Sequence, residues 1–146
     1  MTRGGQQENL PAVPCLTNRP DAVQLFSFSA ATWNQHRIHY DEQYTREHEG
    51  YDRLLVQGPL LGSWMLEVAE NWAEGWGEVT RFAFRTHQPV YVNTELRVSG
   101  DVAAGSPQPS VHLWVALANG MRVATGEAEI RPGRLGVIPR PERRPL

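Results

Sequence analysis

The sequence predicts an α+β domain in which an antiparallel sheet wraps around one long apolar helix. From about residue 59 to 74, apolar side chains recur at helical spacing, and Pro59 suits the first position of such a helix. Beyond Gly77 the period changes from 3.6 to 2, which is typical of strands. A single helix of that hydrophobicity must be covered on most sides, and a curved sheet supplies the cover.

Composition limits the domain count and the chemistry. The chain has 146 residues, one cysteine (Cys15) and a formal net charge of −2. This length favours one domain, and the charge gives no reason to expect nucleic acid. Because all the basic residues are arginine, Schiff-base chemistry and pyridoxal phosphate are excluded, and we expect no cofactor. No apolar run has the length of a membrane helix or resembles a signal core, so we expect a cytoplasmic protein.

The chain divides into three parts by composition. Residues 1–21 lack periodicity and are expected to form an irregular lead-in, whereas residues 22–131 carry the periodic patterns of a compact domain. Residues 132–146 are rich in proline and arginine and predict a tail, because proline interrupts the hydrogen bonding of a sheet.

Before the long helix, the sequence predicts a strand, a polar loop and a short helix. Val23–Phe28 is rich in strand-forming residues and is assigned as the first strand. The polar loop around His39 follows, and Asp41 is a suitable N-cap for a short helix.

The second half of the chain predicts a meander of about four antiparallel strands. Apolar and polar residues alternate over 92–98 and again over 111–117. Asn119-Gly120 then separates the second of these strands from Met121–Ala124, which is a strong signal for a tight hairpin.

Two neighbouring segments carry the candidate chemistry. His39 is a potential proton-transfer group in a polar loop, and Gly58-Pro59 begins a helix whose free N–H groups lie at its positive end. A base together with an anion-stabilising helix start is what chemistry on a thioester carbonyl requires.

Each candidate also has a plain structural interpretation. His39 is also compatible with an ordinary loop residue, and Asn34 with a residue that caps a turn. Gly58-Pro59 is also compatible with a helix start that has no catalytic role. His36 and His39 have the spacing of half a metal site, but no clear third ligand accompanies them, so no metal is expected. Arg37 either meets a substrate phosphate or carboxylate or pairs with a nearby acid, with Asp41, Glu47 and Glu49 as the candidate partners.

Three segments together resemble the MaoC-like hydratase and dehydratase family. They are residues 28–41 (FSAATWNQHRIHYD), 49–51 (EGY) and 56–60 (VQGPL), and they are most similar to mesaconyl-CoA and itaconyl-CoA hydratases and fungal mitochondrial 3-hydroxyacyl-thioester dehydratases. The resemblance implies a single hot-dog fold. It also implies a catalytic role for His39, with Asn34 at the position of the family aspartate, and thioester-oxygen binding by the Gly58 N–H.

The resemblance further implies a hydro-lyase that reversibly adds water to a 2-enoyl thioester of CoA or of a carrier protein. Since many members of this branch are double hot-dogs, a single unit implies a homodimer or a partner subunit. Three alternatives stay open: a hot-dog thioesterase, an inactive or supporting subunit of a heterodimeric dehydratase, and a dehydratase or cyclising enzyme of natural-product biosynthesis.

Overall fold

The computed structural model describes residues 10–105 and 107–133, which form a five-stranded antiparallel sheet and three α-helices. The elements in chain order are β1 Leu16–Asn18, α1 Ala22–Ala31, a 3-10 turn Arg37–His39, α2 Glu42–Glu47, α3 Gly58–Ala73, β2 Gly77–Thr86, β3 Leu96–Val102, β4 Ser110–Leu117 and β5 Arg122–Pro132. The strands lie in the order β1-β3-β4-β5-β2.

Helix α3 packs against strands β2 to β5 and forms the centre of the core. Its predicted apolar face is confirmed, because Leu61, Met65, Val68 and Trp72 are each at most 2% exposed. This arrangement of helix and sheet is the hot-dog fold that the family resemblance implies. At 16 residues α3 is the longest described helix, and among the described residues no helix is long and apolar enough to cross a membrane.

A close approach between α3 and β2 requires glycine at position 62. A Cβ atom there would lie 2.6 Å from the ring of Phe84, which occupies the space beside the helix. Any larger side chain at Gly62 would therefore push the helix and strand apart or displace the ring.

The segment Val23–Phe28, predicted as a strand, lies instead within helix α1. The side chain of Asp21 caps this helix by accepting a hydrogen bond from the Gln24 N–H at 2.8 Å. Leu25 and Ser29, four residues apart, are the buried positions of α1. The strand prediction was wrong because it relied on the content of strand-forming residues. The N-cap at Asp21 and the helical spacing of Leu25 and Ser29 favour a helix instead.

The lead-in is more ordered than expected. Within it, β1 pairs with β3, with Leu16 opposite Val98. The Trp72 indole N–H donates to the Pro11 carbonyl at 2.8 Å, and the Ser99 hydroxyl donates to the Pro14 carbonyl at 2.9 Å. Residues 10–21 therefore contribute to the edge of the sheet and to the cover of α3.

Two strand boundaries in the structure differ from those predicted from the sequence. Strand β3 begins at Leu96 rather than Val92, and Asn93 between them has a positive φ of 61°. Strand β5 extends to Pro132, which pairs with Gly77, so the strand enters the segment predicted to be a tail. The remainder of that segment, 134–146, lies outside the described residues.

The predicted hairpin at Asn119-Gly120 is confirmed, but its loop also includes Ala118 and is therefore longer than the two residues predicted. It joins β4 to β5, and Leu117 donates a backbone hydrogen bond to Met121 at 3.0 Å. Gly120 has a φ of +85°, a conformation that glycine adopts without steric penalty.

Replacing Met65 by alanine is expected to destabilise the protein by about 2–5 kcal/mol, because a fully buried side chain would be lost from the core. The exposed Glu67 on the same helix is the matched control, and Glu67→Ala is expected to change stability by less than about 0.5 kcal/mol. Urea unfolding followed by circular dichroism measures both. Equal effects of the two substitutions would contradict the placement of α3 in the core.

Candidate functional site

Hydrogen bonds to Leu55, in the segment before α3, fix the position of His39. The 3-10 turn carrying His39 is joined to that segment by a backbone hydrogen bond from Leu55 to Ile38 at 3.0 Å. The His39 side chain is only 8% exposed, and its Nδ1 atom lies 2.8 Å from the Leu55 carbonyl oxygen. Because a carbonyl only accepts, Nδ1 carries the hydrogen of the neutral ring. The other nitrogen, Nε2, therefore has a lone pair for accepting a proton.

Burial lowers the pKa of His39 below its ordinary value, and the positive charge of His36 on protonation lowers it further. The hydrogen bond to Leu55 opposes this shift, since it favours the protonated ring, but it does not reverse it. The imidazole is therefore neutral at neutral pH, which is the form that acts as a base.

Helix α3 begins three residues after Leu55 with a free backbone donor. Gln57 is the N-cap residue, and its carbonyl accepts hydrogen bonds from Leu60 at 3.1 Å and Leu61 at 3.3 Å. The N–H of Gly58 donates to no group within 10–105 or 107–133. A free N–H at the positive end of a helix is suited to an oxygen that carries negative charge.

A cleft of about 280 Å³ lies beside this helix start. It is lined mainly by the end of β2 and the segment that follows, and its lining residues are Val56, Gly58, Leu61, Thr86, His87, Gln88, Pro89 and Val90. Backbone hydrogen bonds from His87 and Gln88 to Val123, at 2.8 and 3.4 Å, attach this wall to β5. The cleft thus gives a small group access to the residue with the free N–H.

Asn34 caps the turn that leads to His39. Its Oδ1 accepts a hydrogen bond from the His36 N–H at 3.1 Å, and its own N–H donates to the Ser29 carbonyl at 2.8 Å. The preceding residue, Trp33, has a positive φ of 55° and an 81% exposed side chain. The turn-cap interpretation of Asn34 is therefore correct, and it leaves the Nδ2 hydrogens of the amide for a water or a substrate.

Arg37 forms an ion pair with Asp41. Its Nη2 and Nε atoms lie 2.6 and 3.1 Å from Oδ2 of that carboxylate, and its guanidinium lies 4.1 Å from the centre of the Tyr44 ring. Hydrogen bonds from the Tyr44 N–H and from Arg37 hold the pKa of Asp41 below its usual value. These contacts support the structural alternative for Arg37, and substrate binding by this residue stays a prediction.

The two histidines of the HxxH spacing lie near each other without forming a metal cluster. Their ring centres are 5.8 Å apart, and Nδ1 of His39 is engaged by the Leu55 carbonyl. Within the part of the chain that the structure describes, no group of three or more His, Cys, Asp or Glu residues is placed to hold a metal ion.

Two residues of this region carried no prediction. Gln57 is fully buried, and its Nε2 donates hydrogen bonds to the Leu25 carbonyl and the Ser29 hydroxyl at 2.7 and 2.9 Å. Glutamine is usually exposed, so its position beside Gly58-Pro59 was the only signal in the sequence. Ser29 lies in the 28–41 segment that carries the family resemblance, but nothing in the local pattern marks it as buried.

The depressed pKa of His39 predicts a contribution to the pH dependence of stability. Between the folded pKa and about 6.5 the unfolded chain binds the proton more readily, so the free energy of unfolding decreases as the pH falls through this range. Above about 6.5 the contribution of His39 is constant. His39→Gln is expected to reduce the slope of this dependence.

Urea unfolding at several pH values between about 5 and 8 measures the slope. The exposed His112 provides the control, and His112→Gln is expected to retain the wild-type slope. A wild-type slope in His39→Gln would contradict the burial of a neutral imidazole.

Two named relatives each match about half of the chain. It is 42% identical over 72 residues to mesaconyl-C(4)-CoA hydratase of Chloroflexus aurantiacus, covering 49% of this chain and 25% of that protein. It is 35% identical over 80 residues to the mitochondrial hydroxyacyl-thioester dehydratase type 2 of Schizosaccharomyces pombe, covering 54% of this chain and 27% of that protein. The chain thus matches less than a third of the length of each relative.

The fold is also found in a solved structure. The ChsH1-ChsH2 complex of Mycobacterium tuberculosis contains a chain that superposes with a TM-score of 0.73 at 18% identity, covering 84% of this chain and 96% of that one. At this identity the similarity concerns the fold alone. The sequence model of the hydroxyacyl-thioester dehydratase type 2 family matches residues 5–92, which include His39, Asn34 and the start of α3. The chain therefore belongs to the hydroxyacyl-thioester dehydratase type 2 family.

Proposed function

We propose that this chain is a hydro-lyase that reversibly adds water to a 2-enoyl thioester of CoA or of a carrier protein. The observation that carries the proposal is that a neutral, buried histidine is hydrogen-bonded to the segment that leads directly into a helix with a free N–H at its start. His39 is hydrogen-bonded to Leu55, only three residues before Gly58. The family of the chain and the names of its relatives support the same reaction class.

In the hydration direction His39 acts first as a base. Its Nε2 takes a proton from water while the water oxygen forms a bond to C3 of the enoyl group. The electron pair of the C2–C3 double bond moves toward the carbonyl and places negative charge on the thioester oxygen. The protonated Nε2 then returns a proton to C2, which completes the 3-hydroxyacyl thioester and restores the neutral ring.

The thioester oxygen is stabilised by the N–H of Gly58. This donor lies at the positive end of α3 beside the cleft, and one such donor contributes about 3–4 kcal/mol to transition-state stabilisation. Since it belongs to the backbone of a helix packed in the core, its position requires little reorganisation during the reaction.

Asn34 orients the attacking water through its side-chain Nδ2. Its Oδ1 is already engaged by the His36 N–H, which fixes the direction of the amide. An amide cannot take the proton, so His39 alone carries the acid–base work in this scheme. The scheme includes no substrate contact by Arg37, whose guanidinium is paired with Asp41.

A supporting role in a two-subunit enzyme is the second candidate. This role is favoured because Asn34 occupies the position of the family aspartate, and an amide cannot take a proton. The Oδ1 atom of Asn34 also accepts the hydrogen bond of the His36 N–H in a turn. In either case we propose that the chain assembles with a second hot-dog unit, as a homodimer or a heterodimer. The proposal is supported by the match to only about a quarter of the length of each relative.

The purified protein is expected to remove the ultraviolet absorbance of the enoyl thioester in crotonyl-CoA or mesaconyl-CoA. His39→Ala is expected to reduce kcat by about 10²–10⁴-fold, because the proton-transfer group is lost. Asn34→Asp retains the acceptor for His36 but loses the Nδ2 donor, and a reduction of about tenfold is expected.

The exposed His112 on β4 supplies the control, and His112→Ala is expected to retain wild-type turnover. Wild-type turnover in His39→Ala would refute the assignment of the base. CoA release without hydration would identify a thioesterase, and turnover only after addition of a partner chain would favour the supporting subunit.

Gly58→Ala tests the oxyanion donor by steric displacement. The added methyl would lie 3.2 Å from Cγ2 of Thr86, so the helix start is expected to shift and kcat/KM to fall by about 10–100-fold. Thr86→Ser removes the opposing carbon. The loss caused by Gly58→Ala is therefore expected to be smaller in a Thr86→Ser background, and equal losses in the two backgrounds would contradict this explanation.

A further inference from the structure

Gln57, the residue before Gly58, joins the start of α3 to helix α1. Its side chain is 0% exposed, and its Nε2 lies 2.7 Å from the Leu25 carbonyl oxygen and 2.9 Å from the Ser29 hydroxyl. A carbonyl can only accept a hydrogen bond, so the amide nitrogen must face Leu25. The orientation of the Gln57 side chain is therefore determined by its chemistry.

The other end of this amide is unpaired. Oε1 of Gln57 is buried and has no hydrogen-bond partner among the described residues. A buried carbonyl oxygen without a donor destabilises the folded state, and an apolar side chain of similar volume would avoid that penalty. Packing alone therefore does not explain a glutamine at this position.

Ser29 extends the connection to the turn that carries Asn34. The Ser29 hydroxyl contacts Gln57, and the Ser29 carbonyl accepts the Asn34 N–H at 2.8 Å. The end of α1 is thereby attached both to the start of α3 and to the loop that leads to His39. Two of the three groups proposed for hydration, Gly58 and Asn34, are linked through one buried glutamine and one serine.

We infer that Gln57 is a positioning residue that holds the Gly58 N–H and Asn34 in a fixed relation for the hydration reaction. It acts through its neighbours and has no contact with the reacting atoms in this scheme. Both Nε2 contacts are needed for the link, and the unpaired Oε1 is the consequence of satisfying them. The role in turnover rests on the proposed function, whereas the ordering of Gly58 and Asn34 does not.

Gln57→Met tests the role, because methionine has a similar length and lacks the hydrogen bonds. We expect kcat on the enoyl thioester to fall at least about tenfold, since small displacements of catalytic groups reduce rates strongly, with KM within about threefold of wild type. Ser99→Ala is the control, because Ser99 of β3 also has a buried hydroxyl contact, a 2.9 Å hydrogen bond to the Pro14 carbonyl, which this substitution removes. This control is expected to lower Tm and leave kcat unchanged. A wild-type kcat in Gln57→Met would overturn the inference.

Ser29→Ala tests the route of the link. If Gln57 acts on Asn34 through the Ser29 hydroxyl, the kcat losses of Ser29→Ala and Gln57→Met are expected to be less than multiplicative in the double variant. Fully multiplicative losses would show that the two residues act independently and would overturn the connection through Ser29.

A measurement without substrate separates this inference from the proposed reaction. Backbone ¹⁵N order parameters of Gly58 and Asn34 are expected to decrease in Gln57→Met and to stay unchanged in Ser99→Ala. If the wild-type protein lacks hydratase activity, the proposed function fails, but these order parameters still test the positioning role. Unchanged values at both residues in Gln57→Met would overturn it.

Discussion

The burial of α3 against the sheet is the constraint on which the rest of the structure depends. Met65 and Val68, near the middle of the helix, are 0% exposed, and rotation of the helix would expose them to water. The direction of the first turn is therefore set by the core, although Pro59 in that turn is exposed. A hydrogen-bond donor on such a helix keeps its orientation without support from a flexible loop.

The residues around this helix start are joined mainly through backbone groups. Carbonyl oxygens of Leu25, Ser29 and Leu55 accept hydrogen bonds from Gln57, Asn34 and His39, respectively. Backbone acceptors are present whatever the side chain, so the contact to Leu25 does not depend on its side chain, whereas the contact to the Ser29 hydroxyl does depend on serine. Of the three donor residues, His39 and Asn34 carry the proposed chemistry and Gln57 positions its neighbours, while the backbone acceptors fix their geometry.

The sequence predicted the elements whose signals are local. Helix α3 has its own apolar periodicity and a proline start, and Asn119-Gly120 contains the turn residues that a hairpin needs. Strand β1 was missed because its pairing depends on Val98, far along the chain. Helix α1 was assigned as a strand because its segment is rich in strand-forming residues, and its N-cap, Asp21, was not recognised. The burial of Gln57 depends on partners in that same helix. Long-range contacts, which no short window contains, account for both the missed strand and the unrecognised glutamine.

The exposure of Trp33 gives the protein a built-in optical reporter. Its indole is 81% exposed and adjoins Asn34, whereas Trp64, Trp72 and Trp76 are each at most 6% exposed. Water-soluble quenchers reach the first ring far more readily than the buried three, and Trp114 on β4 is only partly exposed, so Trp33 is the most quenchable of the five indoles. Arrival of a ligand or a second subunit at that turn would shield the indole, and the emission spectrum would register the event without any attached dye.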